Sequence, residues 1–75
     1  MTNPTLQRII SEHLGVAAEQ VTSDASFESL GADSLDTVEL AMVIEQKFDV
    51  IIEDEAVESW KTVGDVDAYL SKLTG

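Results

Sequence analysis

The chain has no cysteine and only one proline, one histidine and one tryptophan. Without thiols neither a disulfide nor a thiolate metal site can staple the fold, so stability must come from packing, and the redox compartment stays open. His13 has no cysteine or second histidine near it in sequence. It reads as a boundary residue of a helix, since a general base needs a placed nucleophile and an orienting group beside it. No catalytic residue is assigned. Basic residues are also scarce: Arg8, Lys47, Lys61 and Lys72 stand against 15 acidic residues, for a formal charge of -11. Such a surface repels nucleic-acid phosphates and anionic lipid heads and attracts basic partners. No stretch approaches the roughly 20 apolar residues that span a bilayer, and no charged leader precedes an apolar run. The expectation is a cytoplasmic monomer with no nucleic-acid binding and no membrane insertion.

With 75 residues, residues 1–75 are expected to form one domain with a small core, burying only about 60% of the unfolded surface. High charge alone can signal disorder, but 44% apolar residues in periodic segments argue for a folded chain.

The chain is organised around residues 31–48, GADSLDTVELAMVIEQKF. Gly31 permits a tight turn, Asp33 can cap a helix, Ser34 falls at its first turn, and a helical pattern follows. At about 100° per residue, Thr37, Leu40, Ala41, Ile44 and Phe48 gather on one side. Leu35, Val38 and Met42 gather nearly opposite, beside Glu39, Glu45 and Gln46. A small core needs only the first side. The second is contact with another helix or a surface kept for a partner.

Upstream, Asn3 and Pro4 resemble a cap and first helical residue, Leu6, Ile9, Ile10, His13 and Leu14 recur at helical spacing, and Gly15 supplies a stop. Residues 17–30 lack a sustained period. They read as a long connection pinned by Val21, Phe27 and Leu30, with a short helical turn near 18–21. Residues 49–52 have strand-like composition but no pairing partner, so a loop and then a short acidic helix over 54–59 is preferred. Ile52, Val57 and Trp60 are available for packing, Trp60 in the core or at its edge. Thr62 and Asp65 fit a variant capping box, and Val66, Tyr69, Leu70 and Leu73 give the buried stripe of a last helix. Gly75 closes the sequence without a visible tail motif. The fold expected is all-α, with three main helices and one short helix.

Ser34 is the one hydroxyl placed where a phosphate ester is favoured, because free N–H groups and the positive helix end stabilise phosphate oxygens. On helix geometry alone an ordinary helix start, with Asp33 as cap and Ser34 at the first position, is the preferred reading. Glu53, Asp54 and Glu55, and Asp33, Asp36 and Glu39, lack the spacing of a calcium loop. They read as solvated acidic faces, and no metal site is expected.

The segment LGADSLDTVEL at 30–40, with the acidic helix, Leu14-Gly15-Val16, Phe27 and Phe48-Asp49, resembles the modification-site region of acyl carrier proteins of the dissociated fatty-acid-synthase type. The resemblance covers nearly the whole chain. It implies a small four-helix carrier without catalysis, whose Ser34 receives 4'-phosphopantetheine from coenzyme A through a phosphopantetheinyl transferase. The arm then carries acyl intermediates as thioesters among acyl-processing enzymes of fatty-acid biosynthesis. The alternatives are a discrete carrier for a polyketide or other specialised acyl pathway, and an unmodified acidic interaction module. Enzymes with basic docking patches are implied to meet Asp33, Leu35, Asp36, Val38, Glu39, Met42 and Glu45. Leu40, Ile44, Ile52, Val57 and Tyr69 are the implied lining of an acyl cavity. The chain departs from the familiar pattern in three places: the stretch before the motif is one residue short, Ile51 and Glu53 replace an acidic residue and a proline, and Trp60 takes an aliphatic position.

Overall fold

The computed structural model describes residues 3–74. Four α-helices run in the order α1 Pro4–Leu14, α2 Ser34–Phe48, α3 Asp54–Ser59 and α4 Val63–Thr74, with a 3-10 turn at Ala18–Gln20. This is the expected three longer helices and one short one, and no strand occurs among the described residues. Gly75 lies outside them.

Each helix begins and ends for a local reason. The Asn3 carboxamide oxygen accepts the N–H groups of Thr5 at 2.9 Å and Leu6 at 3.4 Å, with Pro4 at the first helical position. Such a cap stabilises a helix by about 0.5–2 kcal/mol. Gly15 stops α1 in the left-handed region at φ 69°, a conformation that costs glycine little. At α2, Asp33 and Asp36 form a reciprocal capping box: Asp36 N–H donates to Asp33 at 2.9 Å, and Asp33 N–H donates to Asp36 at 3.2 Å. Asp49 closes α2 with φ 54°; aspartate is among the few residues that tolerate this region. At α4 the Asp65 carboxylate accepts the N–H groups of Lys61 and Thr62, both at 3.0 Å. Those donors hold its pKa below the ordinary carboxylate value.

Leu6, Ile9 and Ile10 of α1, Leu40, Ala41 and Ile44 of α2, and Val63, Val66 and Leu70 of α4 form the core with Val21, Phe27, Leu30, Ile52, Val57 and Trp60. Burying a large aliphatic side chain of this kind contributes about 1.5–3 kcal/mol relative to leaving it exposed. The long connection is pinned by Val21, Phe27 and Leu30 as the sequence suggests. Trp60 is a core residue, packed edge-on against Tyr69 with ring centroids 5.8 Å apart. Leu73 departs from the expected buried stripe: at 44% exposure it lies beyond the last turn that the core covers.

A feature with no counterpart in the periodicity joins the connection to the start of α4. Ser26 and Thr62 form an isolated antiparallel bridge. Phe27 N–H donates to Lys61 O at 3.0 Å, Val63 N–H to Ala25 O at 3.0 Å, and Gly64 N–H to Ser23 O at 2.8 Å. Gly64 permits this close approach, because a Cβ there would sit 2.7 Å from Ser23 O and force the connection to shift. Gln7 of α1 ties down the other end of the connection, donating to Ala18 O at 2.6 Å. The connection is thereby fixed along its length, and it delivers the chain to the start of α2 in one orientation.

Candidate functional site

Gly31 makes the turn into α2 with φ 84°, and Ala32 N–H donates back to Phe27 O at 2.9 Å. The capping box then sets Ser34 as the first residue of α2, exposed to solvent. Its hydroxyl makes no hydrogen bond among the described residues. An oxygen so placed is reachable by an external enzyme. A phosphate ester on it would lie at the electropositive end of a 15-residue helix, where its charge is stabilised.

Behind Ser34 the space between α2 and α3 is not filled. A cleft of about 270 Å³ is lined by Ser34, Thr37, Val38, Val57, Glu58 and Trp60. A neighbouring cavity of about 290 Å³ shares Val38, Val57 and Glu58 and extends past Met42 and Glu45 to Ile52. Of the residues implied as acyl lining, Ile52 and Val57 are present. Leu40 and Ile44 are instead core residues at 1% exposure, and Tyr69 packs on Trp60. Trp60, which takes an aliphatic position of the familiar pattern, forms part of the cleft wall that Ser34 also lines.

The second apolar stripe of α2 is not covered by another helix. Leu35 is 64% exposed, Val38 49% and Met42 56%. Asp33 and Glu39 are exposed beside them, while Asp36 and Glu45 are half-buried. Three of the four carboxylates have structural work as well, Asp33 by accepting the Asp36 N–H at 2.9 Å. Asp36 caps its own helix, and Glu45 accepts the Ile52 N–H at 2.9 Å, fixing the turn between α2 and α3. That turn exposes Ile51 at 83%, a large apolar side chain that sequence reasoning treated only as a loop substitution.

His13 is half-buried and faces Glu39, Nε2 to carboxylate oxygen 3.4 Å. The same ring and carboxylate meet Asp36, an arrangement between helices that periodicity along one helix cannot show. No helix among the described residues is long and apolar enough to cross a membrane.

Comparison with known proteins agrees with this geometry. Residues 4–70 match the phosphopantetheine attachment site family. The chain is 51% identical over 71 residues to the acyl carrier protein of Akkermansia muciniphila, covering 93% of this chain and 89% of that protein. The crystal structure of an acyl carrier protein from Thermotoga maritima superposes with a TM-score of 0.79 at 34% identity, covering 91% of this chain and 80% of that one. Sequence motif, helical architecture and relatives lead to one conclusion: the chain belongs to the acyl carrier protein family, a carrier and not an enzyme, bearing a covalently attached 4'-phosphopantetheine.

Proposed function

We propose that Ser34 is the attachment residue and that the protein, a single carrier domain over 1–75, works as a cytoplasmic monomer. Its cargo is acyl intermediates of fatty-acid synthesis. The observation that carries this reading is the exposed Ser34 hydroxyl at the capped start of α2, opening on the cleft between α2 and α3. In the loading step the Ser34 oxygen attacks the pantetheine-side phosphorus of coenzyme A. The new O–P bond forms as the pyrophosphate bridge breaks, 3',5'-ADP departs with the electron pair, and the hydroxyl proton passes to a base on the transferase. Once attached, the arm supplies the thiol that this cysteine-free chain lacks.

The chain's own residues do three things. Asp33 and Asp36 hold the first turn of α2 rigid, so Ser34 is presented in one place. Asp33, Asp36, Glu39 and Glu45 steer basic patches of the transferase and of acyl-processing enzymes, while Leu35, Val38 and Met42 give short-range apolar contact. Val38, Val57 and Trp60 offer a cleft in which an acyl chain can shelter. Tethering raises the local concentration of the cargo at each docked enzyme and fixes which atom reaches its active site.

The test is incubation with coenzyme A and a carrier-protein transferase, followed by peptide mapping. A single modified peptide containing Ser34 is expected. Modification of a peptide without Ser34, or no modification of the folded chain, overturns the assignment; the second outcome favours the unmodified interaction module.

A further inference from the structure

Helices α1 and α2 pack against each other and bring His13 of α1 up to two side chains of α2, far from it in sequence. His13 Nε2 lies 3.4 Å from a Glu39 carboxylate oxygen. An Asp36 oxygen joins them, and the three donor atoms all fall within 4.8 Å of one another. Asp36 and Glu39 share a face because residues three apart on a helix are neighbours. His13, at the end of α1, supplies the nitrogen from across the interface.

This is a mixed donor set, which distinguishes it from the solvated carboxylates elsewhere on the surface. One imidazole nitrogen with two carboxylate oxygens suits a borderline first-row divalent ion, whereas magnesium and calcium favour all-oxygen surroundings. Zinc–nitrogen and zinc–oxygen bonds of about 2.0–2.2 Å place tetrahedral neighbours about 3.3–3.6 Å apart. The His13–Glu39 separation of 3.4 Å already falls in that range. The Glu39 side chain, 50% exposed, is free to adjust. Asp36 uses one oxygen in its long 3.2 Å capping bond and has the other to offer.

We propose that His13, Asp36 and Glu39 form a site for a zinc-type divalent ion, with the fourth position taken by water. The bound ion clasps the end of α1 to the first two turns of α2, and it withdraws two carboxylates from the docking face. Only that last consequence rests on the proposed docking surface; binding itself stands on the three side chains.

The test is calorimetric titration of the metal-free protein with zinc chloride, and separately with magnesium chloride, with thermal unfolding alongside. One equivalent of zinc is expected to bind and raise the unfolding temperature, as a ligand specific to the folded state must. His13→Gln should weaken zinc binding at least ~10-fold, since even outer-shell changes at metal sites cost that much. Glu55→Gln removes one negative charge from exposed α3 and should leave zinc affinity unchanged. Equal zinc affinity in His13→Gln and wild type, or magnesium binding as tightly as zinc, overturns the proposal, because the ion is then held by diffuse negative charge. Should His13→Gln fail to fold, the imidazole NMR signals of the wild-type protein decide. Zinc must shift them in proportion to occupancy, and unmoved signals overturn the site.

Discussion

The Glu45 carboxylate accepts the backbone N–H of Ile52 at 2.9 Å, so a side chain beside the exposed apolar stripe of α2 also fixes the turn that leads to α3. The residue therefore couples a surface to a cavity, since both Glu45 and Ile52 line the space between the two helices. Glu45→Ala should cost about 1–3 kcal/mol, the usual loss when a hydrogen bond to a charged group leaves its partner unpaired. Glu45→Gln keeps an acceptor and should lose less. Urea unfolding of the two variants measures the difference, and equal losses would mean that the carboxylate acts by charge alone.

Met42 and Ile44 lie on opposite sides of a single helix, one exposed and one buried. Ile44 is 1% exposed and Met42 is 56% exposed. Ile44→Ala should destabilise the protein by ~2–5 kcal/mol, and Met42→Ala by no more than about 0.5 kcal/mol. Affinity for a carrier-processing enzyme should fall in Met42→Ala although its fold is intact. Denaturant unfolding paired with binding measurements checks both halves.

Asp65 gives a pH-dependent contribution of known sign. Its pKa is lowered in the folded protein, chiefly by the N–H donors of Lys61 and Thr62. A depressed folded pKa means stability that is present above the unfolded value and lost as pH falls through the folded one. At neutral pH, Asp65→Ala should cost about 1 kcal/mol, as loss of a cap usually does. The gap between wild type and variant should close below the ordinary carboxylate range. Unfolding curves at neutral and acid pH test this, and a gap that widens on acidification would contradict it.

Gly64→Ala tests the bridge between the long connection and α4. Its added Cβ would meet Ser23 O at 2.7 Å, so either the Gly64–Ser23 hydrogen bond lengthens or the connection shifts. A loss of ~1–3 kcal/mol is expected, as for other forced overpacking. Gly15→Ala would be destabilising through its φ of 69° instead, with open space around the added atom. Thermal unfolding, together with hydrogen exchange at Gly64 and Val63, distinguishes a local shift from a general one.

Much of this architecture is legible in the residues because it is local. The Asn3 and Asp33 caps, the Gly15 stop and the Leu40–Ile44 face follow from helix periodicity and end chemistry. Ser34 is legible for the same reason: its position at a helix start depends only on its immediate neighbours. What escapes the sequence is contact between distant segments. The Ser26–Thr62 bridge has no strand-like run to announce it. The meeting of His13 with Glu39 depends on how two helices cross. Leu73 fits the apolar period of α4, yet it lies where the core has ended, which no count along one helix can tell. Leu40 and Ile44 are buried in the core as their side of the helix predicts.

On the proposed function, one exposed oxygen at the start of α2, that of Ser34, makes this acidic bundle a carrier. Intact mass spectrometry after reaction with coenzyme A and a transferase tests it most directly, comparing wild type with Ser34→Ala. The wild-type chain should gain the mass of one phosphopantetheine. The variant should gain none while keeping its helical circular dichroism, because Asp33 and Asp36 still cap the helix. A folded Ser34→Ala chain that gains the same mass would contradict the account.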